Sequence, residues 1–236
     1  MSAEIIVLKI PSIMETDRYN WLLEVVSEEK RTKVKRLRLL KDTHRTLLGE
    51  ALVRAAIVSR LGLSNEHIRF VENEFGKPAL CGFEKFQFNI SHSGDWVAVF
   101  LSDVPIGIDV EEIRPIDTNI AESYMAPAEY EDIMDKNERE RLSYFYDLWT
   151  LKESYIKAKG EGLSIPLHTF SISIRNDGSI VLDPATEPYY FKTYELEPRY
   201  KLAACSSDNR FPTALTHWNI DDLRVHLECD WTLGIM

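Results

Sequence analysis

Two short stretches hold residues whose types and spacing suit one chemistry. In Phe88–Glu112, FNISHSGDWVAVFLSDVPIGIDVEE, an apolar segment and a Pro turn lead into a segment ending with Asp109 and Glu111. Side chains alternate faces along a strand, so these two carboxylates point the same way. Adjacent oxygen ligands on one rigid face suit a hard divalent cation. Further on, WTLKESYIKAKGEGLS sets Glu153 and Lys157 four residues apart, on one face of a helix. A strand carrying Asp109 and Glu111, met by a helix carrying Glu153 and Lys157, would gather three carboxylates and an ammonium around one point. That set suits a magnesium ion holding a pyrophosphate. Each pair alone is ordinary: acidic pairs decorate many strands, and i,i+4 Glu–Lys pairs decorate many helices. The chemistry depends on their meeting in space.

Other residues could join them. KRTKVKRLRLLKDTHR holds Lys30, Arg31, Lys33, Lys35, Arg36, Arg38, Lys41 and Arg45 within an otherwise acidic chain. On charge alone it reads as a solvated helix face; the functional alternative is a phosphate-binding patch. Lys77, in the turn NEFGKP, is either a surface charge or a further phosphate contact. Ser91 and His92 lie in a Gly-containing loop of hairpin type. No Gly-x-Ser-x-Gly surrounds Ser91 or Ser93, so a hydrolase nucleophile is not supported.

The elements that must position these residues follow from pattern. Residues 5–10, IIVLKI, are β-branched and predict a first strand ended by Pro11. Thr16–Val26 predicts a helix, and Ser27 with Glu28 and Glu29 opens another. TLLGEALVRAAIVSRLGL predicts a long amphipathic helix stopped by Gly62. His67–Phe70 predicts a short strand, and Phe86–Ile90 and Trp96–Leu101 predict a hairpin. After a boundary at Ser102–Pro105 the order repeats: the IGIDV strand, helices over 120–134, broken at Ala126-Pro127, and 137–159, and hairpins over 170–182 and 189–205. Each half runs strand, helices, long helix, strands, which suggests two similar subdomains joined near Asp103. The expected division is 1–103, 104–210 and a C-terminal tail, 211–236, read as irregular. The fold class is α+β: two similar subdomains, each a small, mainly antiparallel sheet on a long helix.

The 236 residues allow one large domain or two small ones, with 44% hydrophobic and 28% charged residues, as in ordinary globular proteins. A net charge of −10 argues against wholesale binding to nucleic acid or an anionic membrane. Cys81, Cys205 and Cys229 are far apart and in no CxxC pattern, against a disulfide framework or zinc site. MSAEIIVLKIPS has no charged n-region or full apolar h-region, and Trp96–Leu101 is too short to span a bilayer. A reduced, cytoplasmic setting is expected.

Taken together, FNISHSG, PIGIDVEEI and FYDLWTLKESYIKAKGEGLS resemble the 4′-phosphopantetheinyl transferase superfamily. Its signatures are a Gly-Ile/Val-Asp-x-Glu segment and a Trp-x-x-Lys-Glu-(Ser/Ala)-x-x-Lys segment, both intact here. DTHRTLLGEALVR, EFGKP and FNISHSG extend the match, over residues 1–210, to the larger, pseudodimeric, surfactin-synthetase-activating group. The resemblance implies transfer of the phosphopantetheine arm of coenzyme A to a serine of an apo peptidyl or acyl carrier protein, releasing adenosine 3′,5′-bisphosphate. It implies Mg²⁺, or Mn²⁺ in its place, held by Asp109, Glu111 and Glu153 together with the pyrophosphate. Lys157 would neutralise the phosphates and assist the leaving group. Ser91 and His92 would contact the nucleotide phosphates, and Lys30, Lys33, Arg36, Arg45, Thr46 and Lys77 would bind the nucleotide end. Glu129, in PAEY, matches a carboxylate suggested as base for the carrier serine; Glu153 through water is the alternative. The stretch from Arg114 to Ala128, with Tyr124 and Met125, is the candidate docking surface for the carrier. A single active site in the cleft between the halves and a monomeric enzyme are expected, with neither nucleic acid nor membrane as partner. The competing readings are a metal-dependent phosphodiesterase or pyrophosphatase and a non-catalytic binding module. The first wants a second set of metal ligands that the chain does not display; the second would have lost a carboxylate.

Overall fold

A computed structural model describes residues 2–228 of the chain. In order it holds β1 (Glu4–Lys9), α1 (Thr16–Val25), α2 (Glu28–Val34), α3 (Leu40–Leu61), β2 (Phe70–Glu72), β3 (Pro78–Leu80), β4 (Gln87–Ser93), β5 (Trp96–Ser102) and β6 (Ile106–Glu112). There follow α4 (Ala121–Tyr124), α5 (Pro127–Asp135), α6 (Glu138–Lys159), β7 (Ser171–Ile174), β8 (Ile180–Asp183), β9 (Tyr190–Tyr194), β10 (Tyr200–Ser206), β11 (Thr216–Trp218) and α7 (Ile220–Glu228).

The repeat expected from element order is present in the strand pairing. The first half forms a sheet with the order β1-β5-β4, and the second half β6-β10-β9. In each, the first strand pairs antiparallel with the last, which closes a hairpin with the strand before it. Each half also has one long helix, α3 or α6, ended by a left-handed glycine, Gly62 or Gly160. The protein is thus an α+β pseudodimer.

Strand alternation explains the layering. Ile6 and Leu8 of β1 enter the core under α3, while Ile5 and Val7 face the opposite way, against Ile106, Ile108 and Val110 of β6. Every residue of β5 is buried because both faces of its sheet are covered. A third core lies between α6 and the far face of β10, around Leu151, Ala203 and Cys205. The order is therefore helix, sheet, sheet, helix. Helix α6 lies very close to β6: a Cβ at Gly107 would stand 2.0 Å from the Ser154 carbonyl oxygen. Only a residue without a side chain allows that approach.

Two expectations change. The short strand lies at Phe70–Glu72, while Asn65–His67 forms a 3₁₀ turn. The break expected at Ala126-Pro127 is present: helical structure over 120–134 splits there into α4 and α5, since Pro is accepted at a helix start but not inside one. Residues from Phe211 are not irregular throughout. Strand β11 pairs parallel with β1, and Ile220 and Leu223 of α7 are buried in the α3 core. Residues 229–236, with Cys229, lie outside the described residues.

Candidate active site

Gly107, Asp109 and Glu111 occupy one face of β6, and α6 lies across that face. Lys157 Nζ stands 2.6 Å from Asp109 Oδ1, and 3.1 Å from Ser91 Oγ. Ser91 Oγ donates to Asp109 Oδ1 at 2.9 Å. Burial raises the pKa of Glu111, and the Asp109 charge raises it further, against a hydrogen bond from Ser93 that pulls it down. Burial likewise raises Glu153, again with help from Asp109. The Lys157 ammonium acts on both in the opposite sense, lowering them.

The donor set fits a divalent cation. Asp109 is 3% exposed, yet its Oδ2 is buried without a hydrogen-bond partner. A buried carboxylate oxygen with nothing to accept is costly unless a cation completes it. Among the described residues, no three His, Cys, Asp or Glu side chains stand close enough to ligate one ion as arranged. The Lys157 ammonium supplies the positive charge at Asp109 instead.

His92 lies exposed beside this group. Its pKa is lowered by desolvation and then by the positive charges of Arg45 and Lys157. Arg45 donates to the Gly94 carbonyl at 3.2 Å and pairs with Asp42, which fixes its guanidinium next to the β4–β5 hairpin. Thr46 follows on α3. One turn further, Glu50 lines a cavity of about 880 Å³ with Lys30, Lys33, Arg69, Phe70 and Pro78. None of the Asp109 cluster lines this cavity. Arg45 and Glu50 are about 7.5 Å apart along the helix axis, at 1.5 Å per residue. Arg36 lines a shallower hollow beside Lys33. Helix α2, which carries Lys30 and Lys33, is capped by Ser27, whose own N–H donates to Glu50 at 2.7 Å.

At three expected site residues the structure shows partners within the chain. Glu129 is held in the core. It is 1% exposed, and its carboxylate accepts from Lys152 Nζ at 2.6 and 2.7 Å, from Ala126 N at 2.8 Å and from Ile172 N at 2.7 Å. It ties α5, α6 and β7 together. Lys77 is also engaged within the chain. Its ammonium donates to the carbonyls of Lys157 at 2.6 Å, Ile106 at 3.0 Å and Ala158 at 3.4 Å, and burial lowers its pKa to about 8. Asn73 Nδ2 adds a bond to the Gly160 carbonyl at 2.8 Å. The NEFGKP turn therefore caps the C-terminal end of α6, where free carbonyls attract a cation. Ser91 is 7% exposed and donates its hydroxyl to Asp109, which orients that carboxylate. In the docking stretch, Met125 is buried at 2% exposure, whereas Ile116, Ile120 and Tyr124 are exposed.

Sequence reasoning missed Lys152, Ser93 and Asn73 as structural partners of the site. For Ser93 a signal was present: Asn89, Ser91 and Ser93 recur with the same period of two as Gly107, Asp109 and Glu111. Lys152 gave none, since a charged residue in a helix is expected at the surface.

Comparison with known proteins agrees with the motifs. A family model described as the 4′-phosphopantetheinyl transferase superfamily matches residues 105–205, and one described as 4′-phosphopantetheinyl transferase, N-terminal, matches residues 14–103. The chain is 44% identical over 204 residues to 4′-phosphopantetheinyl transferase ffp of Bacillus subtilis, covering 86% of this chain and 90% of that protein. It is 42% identical over 211 residues to 4′-phosphopantetheinyl transferase Sfp of Bacillus subtilis (strain 168), covering 89% and 93%. A solved holo-(acyl-carrier-protein) synthase of Bacillus anthracis in complex with CoA (3′,5′-ADP) has 19% identity and a TM-score of 0.39, over 43% of this chain and 93% of that one.

Proposed function

Because the chain belongs to the 4′-phosphopantetheinyl transferase superfamily, we propose that the cleft between its halves, at Asp109, Glu111, Glu153 and Lys157, is where the transfer takes place. The chain is an enzyme that moves the phosphopantetheine arm of coenzyme A to a serine of an apo carrier protein. The single observation that carries the assignment to this cleft is the buried, unpartnered Asp109 Oδ2 within a group of three carboxylates and one ammonium.

Asp109, Glu111 and Glu153 would hold Mg²⁺, which when bound screens the pyrophosphate and stabilises charge on the departing phosphate. Lys157, on a flexible stem, offers its ammonium to the phosphate oxygens. His92 and Arg45 line the way to α3, and Thr46 continues along that helix. The 880 Å³ cavity, with Lys30 and Lys33, takes the nucleotide end, and Arg36 lies at its margin. With Glu129 engaged in the core, Glu153 acting through a water is the carboxylate left to accept the serine proton. Burial raises its pKa, which makes it a stronger base than an exposed carboxylate. Exposed Ile116, Ile120 and Tyr124 would meet the carrier. Residues 1–103 would form the nucleotide-binding half, 104–210 the metal-binding half. The enzyme would work as a cytoplasmic monomer, since one chain supplies both halves; among the described residues no helix is long and apolar enough to cross a membrane.

The test is the intact mass of an apo carrier protein after incubation with the enzyme, coenzyme A and Mg²⁺, with and without EDTA, beside the Asp109→Ala variant. A gain of one phosphopantetheine arm, abolished by EDTA and by Asp109→Ala, is expected. A gain that survives Asp109→Ala in folded protein would overturn the placement in this cleft.

A further inference from the structure

Strand β6 is the edge of its sheet, with β10 on one side only. Its outward N–H groups need acceptors from elsewhere. Strand β4, from the other half, supplies them through side chains. Asn89 Oδ1 accepts from Ile108 N at 2.8 Å, Ser91 Oγ from Val110 N at 3.2 Å, and Ser93 Oγ from Glu112 N at 3.1 Å. The two strands match at a period of two on each, and side-chain oxygens replace a backbone ladder.

The two hydroxyls also have a proton to donate. Ser91 donates to Asp109 Oδ1 at 2.9 Å and Ser93 to Glu111 Oε2 at 2.7 Å. Each serine thus accepts from one β6 residue and donates to the side chain of the residue before it. Asn89 stands at the same step against Gly107, where there is no side chain to receive a proton, and an amide oxygen there is sufficient. The Asn-x-Ser-x-Ser and Gly-x-Asp-x-Glu patterns are complementary residue by residue.

We propose that Ser93 is a positioning residue for Glu111, and that the Asn89–Ser91–Ser93 ladder sets the register in which the N-terminal half aims the carboxylates of the C-terminal half. The inference rests on the reading of Glu111 as a cation ligand. Hydrogen-bond partners of ligating carboxylates typically contribute about 10–100-fold to metal affinity.

Two measurements on the full chain test it, using Ser93→Ala and Ser93→Thr, the second retaining the hydroxyl. In the metal-free protein, the Glu112 amide should exchange with deuterium on the order of tenfold faster in Ser93→Ala, with Val110 unchanged and Ser93→Thr like wild type. In the coenzyme A complex, the Mn²⁺ dissociation constant read by electron paramagnetic resonance should rise about tenfold or more in Ser93→Ala and stay near wild type in Ser93→Thr. Unchanged Mn²⁺ affinity in Ser93→Ala, while Asp109→Ala loses Mn²⁺, would overturn the positioning role. Wild-type protein that takes up no Mn²⁺ would instead overturn the cation reading, and the amide exchange alone would then decide the ladder: unchanged Glu112 exchange in Ser93→Ala overturns it.

Discussion

Glu129 and Lys152 show how a charged residue near a signature motif can belong to the core. Both side chains are almost wholly excluded from solvent, at 2% and 0% exposure, and each satisfies the other. Removing one partner of such a pair leaves a buried charge and costs about 3–5 kcal/mol. Glu129→Gln should therefore lower thermal stability by that order while the folded fraction keeps its turnover. Lost turnover with an unchanged melting temperature would restore Glu129 as a base. Glu111 and Glu153 behave in the opposite sense. Their pKa values are raised in the folded protein, so between the unfolded and folded values the fold binds more protons than the unfolded chain. Their contribution to stability is best at low pH and is lost as pH rises through the raised values. Glu153→Gln should then raise the melting temperature of the metal-free protein at pH 7.5 by roughly 2–4 °C, about 1 kcal/mol, and give no gain at pH 4. Thermal scans at the two pH values would show this, and an equal change at both would refute it.

At the scale of elements, helix α6, which carries the proposed catalytic groups Glu153 and Lys157, is held from three sides. Gly107 admits its backbone against β6, Glu129 grips Lys152 at its middle, and Lys77 with Asn73 caps its last turn. Lys157 lies in that last turn. Its carbonyl accepts from Lys77 at 2.6 Å and its ammonium reaches Asp109 at 2.6 Å, so the cap sets where the ammonium stands. Loss of the cap should misplace a catalytic group without removing a substrate contact. Lys77→Met is expected to lower kcat by about tenfold or more, with KM for coenzyme A changed less than about twofold. A raised KM with unchanged kcat would return Lys77 to the list of phosphate ligands.

At the scale of the whole molecule, the two halves are alike in element order and strand pairing but unequal in chemistry. Only β6 and α6 carry the carboxylates; the matching β1 and α3 carry apolar residues and the Arg45–Thr46–Glu50 face. On the proposed assignment the pseudodimer therefore has one site, made where the halves meet. The C-terminal segment closes the first half: β11 lies on the edge of β1, Leu223 is fully buried against α3, and Asp221 pairs with Arg18. Leu223→Ala should cost about 3 kcal/mol, lowering the melting temperature by roughly 6–12 °C, with kcat retained. A much smaller shift in calorimetry would mean that α7 is not integral to the first half.

The sequence by itself determined most of the elements, the repeat and the family, and it proposed the donor set. Periods of two and 3.6 are local properties, and the spacings Asp109–Glu111 and Glu153–Lys157 are set by strand and helix geometry alone. Only the tertiary structure decided what each charge faces. Lys77, Ser91 and Glu129 have the residue types of ligands or bases, but their partners lie 80, 18 and 23 residues away in the chain. Whether a polar group meets solvent, substrate or another buried group depends on long-range packing, and burial reverses the role that its type suggests. The tail was illegible for the same reason: a three-residue strand has no periodicity to read, and β11 exists because β1 offers it an edge.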